Sequence, residues 1–187
     1  KNLPTRNQLF LIGKQLFLTD GQTIKKINIK TGKLKKVKIK MPYIESVDES
    51  SIAVSSNKLY IYGYRYDKNY NKTYVLYRFT YTKKKNTFKI QNLSKAVKTA
   101  FGSEPGDAVI TTVSGGIAII GPVVKTNGYR QDTHILKDNK KKISTIARTS
   151  CYHKVFNPVA VYSKGLLYVL GVNDTESDGA FFRSTKL

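Results

Sequence analysis

One pattern, written four times, constrains this chain more than anything else in it. A short apolar strand, a tight polar turn and a second apolar strand are followed by glycine in FLIGKQLFLTDG (10–21), SIAVSSNKLYIYG (51–63), AVITTVSGGIAIIG (108–121) and PVAVYSKGLLYVLG (158–171). The turn pairs Gly13-Lys14, Ser56-Asn57, Ser114-Gly115 and Lys164-Gly165 are of the Gly/Asn type that joins hairpin strands. Aligned on these turns, Leu16, Leu59, Ile117 and Leu167 superpose. Leu18, Ile61, Ile119 and Val169 follow two residues later, so both sets fall on one face of a strand and are expected to point inward.

A second match follows each hairpin. Ile27 and Leu34, Tyr81 and Phe88, and Leu136 and Ile143 each flank six residues that include a polar turn: NIKTGK, TKKKNT and KDNKKK. These are the marks of an outer hairpin from a third strand, c, to a fourth, d. Four short strands per repeat predict an all-β array. The repeat intervals of about 43, 58 and 50 residues bracket the ~50 of a propeller blade. The segments read as blade 1 over about 5–40, blade 2 over 47–91, blade 3 over 106–147 and a partial blade 4 over 155–187. Between blades 2 and 3, NLSKAVKTAFGSEPGD places Leu93, Val97 and Phe101 four apart. With Asn92 or Ser94 as N-cap and Gly102 as stop, it predicts a helical insertion over 92–102 that packs against the sheets.

At these residues the chain resembles the kelch-type β-propeller family, with its galactose-oxidase-like central domain. The shared marks are the glycine after strand b (Gly63, Gly121, Gly171), the Tyr-x6-aromatic pair Tyr81 and Phe88, and the leads Leu3-Pro4-x-Arg6 and Met41-Pro42. The family's double glycine is single here, its outer Trp is missing, and only the second repeat keeps both aromatics. The resemblance implies about four blades, the last incomplete because AFFRSTKL stops on strand c. It therefore implies a fragment of a larger propeller, closed by remaining blades or a second chain. The related copper oxidases need several His and Tyr ligands, a set this sequence lacks, so no cofactor is expected.

Charge narrows the partners. Lys and Arg number 33 against 12 acids, for a net +21, a field that attracts anionic polymers such as teichoic acid, acidic polysaccharide or a nucleic acid backbone. No apolar run reaches the roughly 18 residues of a membrane helix. Cys151 is the single cysteine, so no disulfide framework or CxxC metal clip is formed. The opening Lys1-Asn2-Leu3-Pro4, without initiator Met or signal peptide, reads as a processed product. With few cysteines and many lysines, an extracellular or bacterial cell-surface setting is the expectation.

Propeller topology sorts the loops: a–b and c–d turns share one side of the disc, b–c loops the other. The c–d turns hold Lys33, Lys35 and Lys36, then Lys83, Lys84 and Lys85, then Lys140, Lys141 and Lys142. Basic turns in three successive blades predict a lysine arc for anion binding, or solvated tips that discourage edge pairing. The b–c loops 64–72, 122–132 and 172–179 carry tyrosine and asparagine, which give contact area and hydrogen bonds at low entropic cost. Tyr64, Arg65, Tyr66 and Tyr70, with Tyr129 and Arg130, form the expected ligand patch for a protein or glycan.

Catalytic signals are thin. His134 and His153 are the only histidines, too few for a three-His zinc site. Cys151 and His153 lack a group to orient the imidazole. Asp174, Glu176 and Asp178 lack the loop-closing Glu of a calcium loop. The SDG at 177–179 lacks the Thr-Trp of a sialidase-type box. The expectation is a non-catalytic binding module without metal. The alternatives are electrostatic attachment through the lysine rim, and part of a hydrolase or lyase whose site lies in other blades.

Overall fold

A computed structural model of the chain describes residues 8–45, 52–103, 106, 108–151, 155–173 and 180–187. It is all-β, with four small antiparallel sheets in a propeller arrangement and one helix. Blade 1 comprises β1 (Gln8–Ile12), β2 (Gln15–Thr19), β3 (Ile24–Ile27) and β4 (Leu34–Lys36). Blade 2 comprises β5 (Ile52–Ser55), β6 (Lys58–Tyr66), β7 (Lys72–Thr82) and β8 (Thr87–Asn92). Blade 3 comprises β9 (Val109–Val113), β10 (Gly116–Lys125), β11 (Gly128–Lys137) and β12 (Ile143–Cys151). Blade 4 holds three strands, β13 (Val155–Ser163), β14 (Leu166–Asn173) and β15 (Ala180–Lys186). Every sheet is a meander in chain order, and the first strands β1, β5, β9 and β13 stand side by side in succession.

The four expected turns all form. Ile12 pairs with Gln15, Ser55 with Lys58, Val113 with Gly116 and Ser163 with Leu166, each across two residues. Lys164 and Gly165 both take positive φ, 48° and 81°, the backbone that matches the twist of the flanking strands. Three of the turns offer a carbonyl to the neighbouring strand. Those of Asn57, Gly115 and Gly165 accept from the backbone N–H of Tyr81, Asp138 and Leu187, so one extra rung ties the a–b turns of blades 2, 3 and 4 to the chain at the end of strand c. The c–d pairs also form: Ile27, Tyr81 and Leu136 lie directly opposite Leu34, Phe88 and Ile143.

Side-chain alternation gives each blade a front face toward the preceding blade and a back face toward the next. Leu59, Ile61, Tyr77 and Phe79 on the front of blade 2 pack on Phe10, Ile12, Phe17 and Ile24 on the back of blade 1. Tyr60, Tyr62 and Leu76 on the back of blade 2 meet Ile117, Ile119 and Leu136 on the front of blade 3. Val109, Ala118 and Ile120 on the back of blade 3 meet Leu167 and Val169 of blade 4. The aligned inward positions are therefore the front faces, and in blades 2 to 4 they are buried. Blade 1 departs from that expectation. Its Leu16 and Leu18 are half-buried, while Phe17 between them is fully buried, because among the described residues no sheet covers the front of blade 1.

Two further expectations change. The glycines read as ends of strand b, Gly63, Gly121 and Gly171, sit within β6, β10 and β14, which run on past them. The helix α1 spans Ser94–Phe101, with Leu93 at the N-cap position. Asn92 serves the helix from one residue earlier, its amide oxygen accepting from the Ser94 N–H at 2.9 Å. Gly102 ends the helix in the left-handed region at φ 75°, as its position suggests. Leu93, Val97 and Phe101 bury into the core shared by blades 2 and 3.

That seam also carries a buried polar staple. The Asp138 carboxylate, just past β11, accepts hydrogen bonds from Ser55 Oγ (2.9 Å), Ser56 Oγ (2.7 Å) and Tyr60 OH (2.9 Å) of blade 2. Arg78 Nη1 donates to the carbonyls of Asp138 and Lys140, and Nη2 donates to Gln91 Oε1. Burial pushes the Tyr60 hydroxyl well above the ordinary phenol range, so it stays a donor at any physiological pH.

Candidate functional site: the tyrosine edge and the lysine rim

Strands β6 and β7 continue beyond the body of blade 2, pairing as far as Tyr66 with Lys72. The connection shrinks to Asp67–Asn71, and its shape comes from Asp67. That carboxylate accepts from the N–H groups of Asn69 (2.8 Å) and Asn71 (2.9 Å) and from Asn71 Nδ2 (3.2 Å). These bonds hold its carboxyl below the usual range. Tyr64, Arg65 and Tyr66, expected in a loop, are thus strand residues with a fixed pleat. Tyr70 remains in the turn, at φ 60° and 86% exposed.

The pleat decides which of them meet. Tyr62, Tyr64 and Tyr66 share the back face with Tyr74 and Lys72. Tyr62 stacks on Tyr74 at 5.9 Å, and Tyr64 meets Tyr66 and Tyr74 edge-on at 5.6 and 6.2 Å. Lys72 Nζ lies 4.0 Å from the centre of the Tyr64 ring and 5.0 Å from that of Tyr74, within cation–π range. Arg65 projects from the other face. Below this ladder, Tyr62, Tyr74, Ser94, Lys95, Val97 and Lys98 line a pocket of about 180 Å³, so the packing helix also supplies one wall. Tyr74, Lys72 and the helix lysines were missed in the sequence. Period-two pairing across the hairpin, 64 with 74 and 66 with 72, is the signal that finds the first two.

In blade 3, β10 and β11 form a similar ribbon closed by Lys125 opposite Gly128. Arg130 lies opposite Val123, whose side chain belongs to the core between blades 2 and 3, so Arg130 faces blade 2. Its Nε and Nη2 grip the buried Asp132 carboxylate at 2.5 and 2.7 Å, and Arg148 approaches the same group at 3.8 Å. Tyr129 points to the opposite face beside Val124, which is 75% exposed. The expected patch therefore divides. Tyr64 and Tyr66 stand together, and Arg130 lies on the facing blade already paired. Arg65 and Tyr129 project from the opposite faces of their ribbons, and Tyr70 stays exposed in the turn.

His134 lies deeper on the same strand, fully buried against Phe101 at 4.1 Å, with Nδ1 3.1 Å from Thr145 Oγ1. Burial lowers its pKa to about 4, against the opposing pull of Asp132. At neutral pH it is a neutral core residue.

The other end of the sheets carries the lysines. Lys33 closes the β3–β4 turn, with Lys35 and Lys36 on β4; Lys83–Lys85 form a single 3-10 turn; Lys140, Lys141 and Lys142 join β11 to β12. All nine are exposed. Lys14, Lys26, Lys30, Lys33 and Lys35 also line a groove of about 560 Å³ floored by Ile27, Ile29 and Leu34, and no acid lines it.

Of the remaining candidates, Cys151 is placed by its backbone alone, at the end of β12 opposite Tyr129. His153, the Asp174, Glu176 and Asp178 run and the SDG at 177–179 lie outside the described residues, as does the Leu3-Pro4-x-Arg6 lead. Among the described residues no three His, Cys, Asp or Glu side chains are grouped to hold a metal ion. No helix of the described residues is long and apolar enough to cross a membrane. No known family model matches the sequence, and no curated protein matches it.

Proposed function

We propose that this chain is a non-catalytic binding module, a propeller of kelch-like kind, that takes a protein or glycan ligand on its b–c edge. The propeller is commonly a binding scaffold. The observation that carries the reading is the ladder of Tyr64, Tyr66 and Tyr74 beneath Lys72, seated on the buried Tyr62. Its rings are fixed by strand pairing, so a ligand that stacks on them orders little side-chain freedom. Flat aromatic faces flanked by lysines suit a sugar ring bearing an acidic group, or a peptide segment with one.

A variant carrying Tyr64→Ser and Tyr66→Ser tests this against immobilised neutral and acidic oligosaccharides. Binding falls at least 10-fold with an unchanged thermal midpoint; retention of wild-type affinity refutes the site. A second reading rests on the nine exposed lysines and the acid-free groove of about 560 Å³. In that reading the rim attaches to an anionic polymer, as a surface-attached protein would. Heparin binding that weakens steeply between 50 and 300 mM salt, and that Lys83→Ser, Lys84→Ser and Lys85→Ser reduce, supports it. Salt-independent heparin binding removes it.

A further inference from the structure

Each contact between neighbouring blades joins a back face to a front face, and among the described residues one face of each kind is left uncovered. On the front of blade 1, Leu9, Leu11 and Leu34 are 63%, 53% and 53% exposed. Leu9 pairs with Leu18 and Leu11 with Leu16, so these side chains form one continuous patch. On the back of blade 4, Val159, Val161 and Leu170 are 56%, 57% and 52% exposed, with Val159 directly opposite Leu170.

We propose that these two faces cover each other between two copies of the chain, the back of blade 4 of one copy docking on the front of blade 1 of the other, in both directions. The result is a ring of eight blades with a two-fold axis through its centre. Continuity with the intramolecular seams identifies the occupant. Leu16 and Leu18 occupy the positions of Leu59 and Ile61, Ile117 and Ile119, and Leu167 and Val169. In blades 2 and 3 those front positions are fully buried against the back of the preceding blade, and in blade 4 nearly so. The front of blade 1 is therefore built for the back of a blade, and the back of blade 4 for a front. A second copy supplies both complements at once. The contact is heterologous, and it closes at two copies only if the rotation completes a ring. Eight blades is within the range of propellers. Each copy carries +21, so association strengthens as salt screens the repulsion, opposite to the salt response of a lysine-rim ligand.

The test is the solution mass of the purified 187-residue chain at 0.5 M NaCl by light scattering and sedimentation, over tens of micromolar. A particle of twice the 21.1 kDa chain mass is expected. Leu9→Lys with Leu11→Lys spoils only the front, and Val159→Lys with Val161→Lys spoils only the back. Each variant alone is monomeric, with dissociation raised at least 10-fold, and an equal mixture of the two recovers a two-chain particle through the one intact seam. A wild-type monomer overturns the proposal and leaves both faces to another sheet. So does an open-ended polymer, or a mixture that fails to associate. If a lysine pair unfolds the chain, Leu9→Ser with Leu11→Ser and the wild-type mass decide the matter. The outcome is independent of what the tyrosine edge binds.

Discussion

Asp138 and His134 are both buried on the seam between blades 2 and 3, yet they respond to change in opposite ways. Asp138 is fully used, accepting three hydroxyl donors from blade 2. Asp138→Ala leaves Ser55 and Tyr60 unpaired in a dry site and lowers unfolding free energy by about 3 kcal/mol, read as a lower urea midpoint at unchanged slope. His134 is neutral because burial disfavours its charge. Above pH ~6.5 the imidazole is neutral in both folded and unfolded chains. As the pH falls from there toward about 4, only the unfolded chain takes the proton, so stability is lost across that window and levels off below it. The loss approaches roughly 3 kcal/mol. Subtracting the melting curves of His134→Leu from wild type isolates it from the carboxylates. A difference that does not vary between pH 7 and pH 4.5 rejects this assignment.

At the scale of elements, the seams hold the blades and the hairpin rungs hold each blade together. Phe17 is fully buried, stacked on Phe10 at 5.3 Å and edge-on to Tyr81 and Phe88 at 5.0 and 5.6 Å. Phe17→Ala should cost about 3–5 kcal/mol, against under about 1 kcal/mol for Leu9→Ala on the uncovered front. Gly116 tests the rungs differently, since a Cβ there would fall on the Leu136 carbonyl oxygen. Gly116→Ala forces β10 from β11 and lowers the thermal midpoint more than Gly13→Ala, where a side chain meets no atom and only the left-handed φ of 59° opposes it. Much of this was legible in the sequence. Turn chemistry marked the four hairpins, and spacing marked the cross-strand pairs Ile27–Leu34, Tyr81–Phe88 and Leu136–Ile143. The reach of β6 was not legible, because Tyr, Arg and Lys suit an exposed strand and a loop equally. Nor was the exposure of Leu16 and Leu18, since alternation assigns a face to a side chain without saying whether another sheet lies against it. The division of Tyr129 from Arg130 follows from the pleat, and becomes visible only once the ribbon is known to be strand.

Across the whole molecule, antiparallel meanders send two chemistries to opposite ends of the blades. The lysines gather with the a–b and c–d turns, and the tyrosine ladder stands on the b–c ribbons. The separation lets a ligand at one end be distinguished from a polyanion at the other. Recognition by the tyrosine edge is the central claim, and hydrogen–deuterium exchange tests it most directly. The chain is compared alone and saturated with the acidic oligosaccharide that binds it best. Protection confined to residues 64–74 and 94–98 is the predicted result. Protection centred on residues 28–36, 83–86 and 138–142, with the tyrosine ribbon unchanged, would contradict it.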